Sequence, residues 1–382
     1  MSVAVICECN PFHYGHEYLF RTAREITGEG VVAVMSGSFT QRGEVAVCDK
    51  FTRAAAALRH GADVVVELPT AFAVASAQRF AAAGVRLAGC FSDVTALAFG
   101  CENDDLGALR AAADALRDAR VNALIADAMR SGAYYPQALA AAVREVCGEA
   151  AAQAVSSPNN ILAVEYLRAL DGTAIRPLPV KRQGASHDSA AVCGKFASAS
   201  HIRALLRAGQ SAVGLLPELP PRVTHPELLD RLMLYRLRTM SADELRRLPE
   251  VGEGLENRLK EAAGHARSAG ELLSMVKTKR YTHARLRRVL TCALLGVTAA
   301  LQNTEPQGVR VLGFTDDGEQ ILRSCKCQIV TSVAKALRQT GVNTEHLRLD
   351  LRATDIAALA YNEILPSNQD YCTKIIRINR EM

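Results

Sequence analysis

The chain has no run of 18 or more apolar residues, so no segment has the length and apolarity of a transmembrane helix. Its opening residues, Met-Ser-Val-Ala-Val-Ile, lack the basic stretch and the cleavage site of a secretory signal. These two absences predict a cytoplasmic location. No internal repeat occurs, and the only compositional bias is alanine richness. The 11 cysteines are an odd number and do not fall into a disulfide framework or a common zinc spacing. In a reducing compartment they read mostly as small buried hydrophobes. Cys325 and Cys327 are the only close pair outside the N-terminal loop, and one intervening residue suits a metal poorly.

What remains is a 382-residue chain, 49% hydrophobic, with mean hydropathy near zero. That length accommodates two or three domains. The net charge is +5, unevenly placed. Residues 1–120 carry eleven Lys/Arg and fourteen Asp/Glu, whereas residues 221–290 carry fifteen and nine. Within 277–288 there are six basic residues and no acid: Lys277, Lys279, Arg280, Arg285, Arg287 and Arg288. Such a run is either a solvated helix face or a contact for a polyanion larger than a nucleotide. Tyr281 adds one surface on which a base could stack.

The most informative stretch is Cys7-Glu8-Cys9-Asn10-Pro11-Phe12-His13-Tyr14-Gly15-His16, directly after the apolar run Val3 to Ile6. The run reads as a buried parallel strand, and the residues from Glu17 to Glu25 read as a helix. The motif therefore falls where a first strand turns into a first helix. Unpaired N–H groups and the helix dipole favour an anion there. Gly15 permits close approach, and His13 and His16 can donate to phosphate oxygens. Two other readings exist: a loop with two exposed histidines, or a zinc site from His13, His16 and Cys9. The zinc site would need a fourth ligand and has an uncommon spacing.

Further strands are expected at 31–36, 64–69, 96–100 and 174–180, separated by helices. This alternation predicts βαβ units and a Rossmann-like, doubly wound parallel sheet of the α/β class. Ligands on such sheets bind beyond the carboxyl ends of the strands. His13, Gly37, Pro69 and Gly100 all fall at such ends. Prolines 217, 220, 221 and 226 mark a boundary. The expected division is a catalytic domain at 1–215, a mainly helical basic domain at 222–303, and a small α/β C-terminal element at 304–382 with strands at 309–314 and 329–331.

The His-x-Gly-His pattern resembles the signature of nucleotidyltransferases. Further motifs narrow the resemblance: Ser36-Gly37-Ser38-Phe39-Thr40-Gln41-Arg42-Gly43-Glu44, Asp49-Lys50-Phe51-Thr52-Arg53, Val66-Glu67-Leu68-Pro69, Ser157-Pro158-Asn159-Asn160, and Ser198-Ala199-Ser200-His201-Ile202-Arg203. In order and spacing the whole is similar to the bacterial tRNA(Met) cytidine acetate ligase family.

That resemblance implies ATP-dependent activation of acetate to acetyl-adenylate. The acetyl group then passes to N4 of the wobble cytidine of elongator tRNA(Met), with no acetyl-coenzyme A. It implies catalytic roles for His13, His16 and Arg203. It implies an ATP site from Ile6, Cys7, Asn10, Pro11, Phe12, His13, Gly15, His16, Gly100, Asn159, Asn160, Arg182 and Ser198. Mg²⁺ is expected with ATP, without a dedicated protein cage. Gln41, Arg42, Asp49 and Lys50 are candidates for the acetate end, and the six basic residues of 277–288 for tRNA. Cys9 stands where the family pattern has an aromatic, Ser186 where tyrosine is commoner, and Ser200 where threonine is usual. The competing reading is a small-molecule nucleotidyltransferase, which would need no basic helical half.

Overall fold

The computed structural model describes residues 1–102, 104–183, 194–278, 281–306, 308–339 and 343–379. Five parallel strands form its centre: β1 (Ser2–Cys7), β2 (Gly30–Ser36), β3 (Val64–Leu68), β4 (Val94–Cys101) and β5 (Arg176–Lys181). Strands β1 and β3 are buried along their whole length, which is why they read as continuous apolar runs rather than alternating ones.

Helices cover both faces. Val3, Val5 and Cys7 pack with α1 (Tyr14–Thr27) and α2 (Lys50–Arg59). Ala4 and Ile6 face the other way, in the cluster that holds α3 (Ala77–Gly89) and α4 (Pro158–Leu170). This split follows from the two-residue period of a strand. The alanine-rich stretch after β4 is helical, from Leu106 to Ala154 with short breaks.

With β6 (Val309–Thr315) and β7 (Ile329–Val330) added, the strand order is β5-β4-β1-β2-β3-β6-β7. The chain runs outward from β1 through β2 and β3, then returns to place β4 on the other side of β1. The order reverses at β1, so the crevice for a ligand opens at that strand's carboxyl end.

The C-terminal segment departs from the expected separate element. Strand β6 (Val309–Thr315) pairs antiparallel with β3, and β7 (Ile329–Val330) and β8 (Ile376–Ile378) both pair with β6. These strands extend the catalytic sheet. The physical reason is the edge of β3, whose backbone groups would otherwise lack partners.

A cluster of buried charges ties this extension in place. Lys50 Nζ lies 2.7 Å from Glu67 and 2.8 Å from Asp370, and Arg310 lies 3.0 Å from Glu67 and 2.6 Å from Asp370. Asp350 accepts from the Thr70 amide at 2.6 Å; burial and the neighbouring Glu67 push its carboxyl up to about 7. The cysteines also differ from expectation. Cys327 is bonded to Cys90, with Cα atoms 5.5 Å apart, rather than both being free thiols.

Helical segments from Asp230 to Leu295 form most of the middle region, ending in α6 (His283–Leu295). No helix among the described residues is long and apolar enough to cross a membrane.

Candidate active site

Beyond Cys7 the chain leaves the sheet through Cys9, at φ 48°, and a cis Asn10–Pro11 peptide. Two bonds pin this loop. The Asn10 side chain accepts from the Val47 amide at 2.7 Å, and its carbonyl accepts from Arg203 at 2.8 Å. Phe12 is buried, with its ring 5.6 Å from His16 and 5.7 Å from His60.

His13 and His16 then do the work of a capping box, with imidazoles in place of the usual Ser and Glu. His13 is the N-cap, and its Nδ1 accepts from the Gly15 amide at 3.0 Å. The His16 Nδ1 accepts from the His13 amide at 3.3 Å. Gly15 is required by this turn: a Cβ there would sit 2.7 Å from the His13 ring.

Protonation follows from burial. Desolvation holds His13 well below its ordinary value and His16 at about 3, with Arg182 adding to both effects. Both rings are therefore neutral near pH 7. Since each Nδ1 already accepts an N–H, the one proton of each ring sits on Nε2. The ring centres are 4.0 Å apart. The helix start thus presents two preset Nε2–H donors, in line with the dipole of α1.

The flanking strands bring up the cations. Register places Gly100 beside Val180, and Arg182 follows directly, its amide donating to the Cys101 carbonyl at 2.9 Å. A Cβ on Gly100 would meet only the Arg182 side chain, at 3.5 Å. Ser198 is the N-cap of α5 (Ala199–Arg207) and accepts from the His201 amide at 3.1 Å. Arg203, one turn on, also donates to the Ser200 hydroxyl at 3.1 Å. Arg182 and Arg203 both act electrostatically on His13. Ile6, Cys7, Asn10 to His16, Gly100, Arg182, Ser198 and Arg203 are therefore assembled at the ends of β1, β4 and β5. Asn160 is buried and its side-chain oxygen accepts from the Glu102 amide at 2.9 Å, which fixes α4 to the end of β4. The side chain of Asn159, and Ser186, lie outside what is described.

Other expected site residues have internal partners. Lys50 is buried among carboxylates, as above, and Asp49 is the N-cap of α2, accepting from Thr52 at 2.7 Å and 2.6 Å. Both side chains thus have partners that anchor α2. Gln41 and Arg42 stay beside the cleft, next to Glu8.

The basic segment also differs from the sequence reading. Arg285 donates to the Glu250 carbonyl at 2.8 Å, Arg288 binds the Glu250 carboxylate at 2.7 Å, and Arg287 lies 2.6 Å from Glu44. Arg287 and Arg288 are thus ion-paired within the protein. Helix α6 packs on the loop after β2: the Thr291 hydroxyl donates to the Gly43 carbonyl, and a Cβ on Gly43 would lie 2.5 Å from the Arg288 nitrogen. Lys277 stands over the Tyr134 ring at 5.1 Å. Lys279 and Arg280 lie outside the described residues.

Two further site residues escaped the sequence reading. Arg53 is fully buried and donates to the carbonyls of Cys48, Glu8, Ser36 and Gly37, so it ties the ends of β1 and β2 together. Glu8 accepts from the Gln41 amide at 2.6 Å. Both stand inside recognisable motifs, but only their contacts reveal what they hold.

This fold, with its paired histidines at the switch point, defines a nucleotidyl transferase of the His-x-Gly-His class. The family model described as HIGH Nucleotidyl Transferase matches residues 1–371. A tRNA(Met) cytidine acetate ligase of Syntrophotalea carbinolica is 38% identical over 396 residues, covering 96% of this chain and 94% of its own. That of Thermoanaerobacter sp. is 32% identical, covering 98% and 99%. The apo structure of Thermotoga maritima TmcAL superposes with a TM-score of 0.90 at 31% identity over 99% of both chains. The same protein bound to alpha-thio ATP gives 0.88 at 31% identity, again over 99% of both. The chain belongs to the tRNA(Met) cytidine acetate ligase family of HIGH nucleotidyl transferases.

Proposed function

We propose that the protein activates acetate with ATP and acetylates N4 of the wobble cytidine of elongator tRNA(Met), releasing AMP and pyrophosphate. The observation that carries this is the pair of neutral, Nε2-protonated histidines at the start of α1, faced by Arg182 and Arg203. The acetate oxygen attacks the α-phosphorus, and negative charge builds on the departing pyrophosphate. His13 and His16 donate to those oxygens from fixed positions, at no reorganisation cost during the step. Arg182 and Arg203 compensate the charge. Positioning supplies most of the catalysis.

Gly15 and the helix start leave room for the triphosphate, and Gly100 and Asn160 border the nucleoside side. Gln41 and Arg42 face the acetate end. Among the described residues no group of three or more His, Cys, Asp or Glu side chains converges as a metal cage. Mg²⁺ is proposed to accompany ATP, where it would compensate phosphate charge, and no protein residue is assigned to it. We place the reaction in the cytoplasm, with its tRNA substrate. The test is mass spectrometry of tRNA(Met) incubated with the protein, ATP and isotope-labelled acetate. The label is expected on one cytidine of the anticodon loop. Acetylation from acetyl-coenzyme A without ATP would overturn the proposal.

The basic segment is the proposed tRNA contact, and the test takes Lys277, Lys279 and Arg280, its first three cations, because substitution of Arg285, Arg287 or Arg288 would also break contacts to Glu250 and Glu44. Replacing those first three by alanine should weaken tRNA binding and flatten its salt dependence, by at most about one unit of slope per lost phosphate contact. Acetate-dependent ATP–pyrophosphate exchange should stay near wild type. Unchanged affinity and slope would move the tRNA site elsewhere.

A further inference from the structure

We infer that Glu8 is the group that takes the proton from the cytidine amine as the acetyl group is transferred. The inference rests on the function proposed above. Glu8 is the first residue past β1, five positions before His13, so it borders the same crevice. Its Oε1 accepts from the Gln41 amide, which orients the carboxylate. Its second oxygen accepts no hydrogen bond among the described residues, and the side chain is only half-buried. One oxygen is thus held and the other is open to a substrate.

An acid is out of place in a pocket built for phosphates. An ionised carboxylate can only accept hydrogen bonds, so it takes no direct part in holding the triphosphate. The second step has a use for it. The exocyclic N4 of cytidine attacks the carbonyl carbon of acetyl-adenylate and a C–N bond forms. The C–O bond to the phosphate breaks, and AMP leaves with the electron pair. The amine must shed one proton, which passes to the open oxygen of Glu8 and then to water. No other co-reactant is needed.

The surroundings suit a base. Arg42 faces Glu8 from the loop after β2, Arg53 from α2 and Arg203 from α5, while Tyr166 of α4 and Cys9 adjoin it. Burial raises the carboxyl above its ordinary value, against the opposing pull of the Gln41 amide and the three arginines. It therefore binds a proton more strongly than a solvated glutamate and yet can ionise.

Glu8→Gln separates the roles. The amide oxygen still accepts from Gln41, but it cannot take a proton. In the full-length protein, any loss of acetate-dependent pyrophosphate exchange should be small beside the loss of transfer. Single-turnover transfer from preformed acetyl-adenylate to tRNA(Met) should fall roughly 10² to 10⁴-fold, with tRNA affinity little changed. The acid limb of the transfer rate against pH should disappear. Glu8→Asp, which keeps a base at shorter reach, should recover part of the rate and keep the limb. Transfer by Glu8→Gln within a few-fold of wild type would overturn the inference. So would an equal loss in exchange and transfer, which would make Glu8 a support for Gln41 alone. A wild-type protein that makes acetyl-adenylate but never acetylates tRNA would instead count against the function itself.

Discussion

His16→Ala is expected to lower acetyl-adenylate formation a hundredfold or more while leaving tRNA binding nearly intact. His16 presents a preset Nε2–H beside Gly15, and removing one such donor to developing charge typically costs about 2.7–4 kcal/mol. The substitution also removes the acceptor for the His13 amide, and with it half of the capping box. Loss of a cap costs on the order of 1 kcal/mol, so the helix should survive. Acetate-dependent pyrophosphate exchange, read beside tRNA binding, distinguishes the two effects. Exchange within a few-fold of wild type would remove His16 from the phosphate site.

The other large effect belongs to stability. Lys50→Met should destabilise the fold by about 3–5 kcal/mol, because Glu67 and Asp370 would share Arg310 alone in a buried setting. At an unfolding entropy of about 2.1 cal/mol/K per residue, the thermal midpoint should fall by about 4–6 °C. Below that midpoint the KM for acetate should be unchanged. If Lys50 also contacted acetate, the KM would rise along with the fall in midpoint. Calorimetry together with exchange kinetics tells these outcomes apart.

The cluster around Lys50 explains why the C-terminal segment belongs to the catalytic half. Arg310 on β6 and Asp370, close to β8, meet Lys50 of α2 and Glu67 of β3. Charges of both signs offset each other's desolvation only when all four arrive together. The antiparallel pairing of β6 with β3 brings them there.

The same logic applies to the basic segment. A charge count over 277–288 treats six cations as equivalent. Helix α6 turns Arg287 and Arg288 toward Glu44 and Glu250, which lie more than two hundred and nearly forty positions away in sequence. Their loss would disturb the Gly43 loop, and with it the catalytic side.

The amino-acid sequence by itself determined the local architecture and the residues of the proposed anion site. Strand–helix alternation, the switch into α1, and the donors His13 and His16 all depend on neighbours within a few residues, where backbone geometry and periodicity leave little choice. Tertiary structure alone decided which charges are spent and which are left to act. It paired Lys50 with Glu67 and Asp370, closed Cys90 onto Cys327, and gathered four carbonyls onto Arg53. It also gave Glu8 one held oxygen and one open one. The reason is physical: a charge's partner is set by which distant segments burial brings within about 3 Å, and composition and spacing carry no information about that distance.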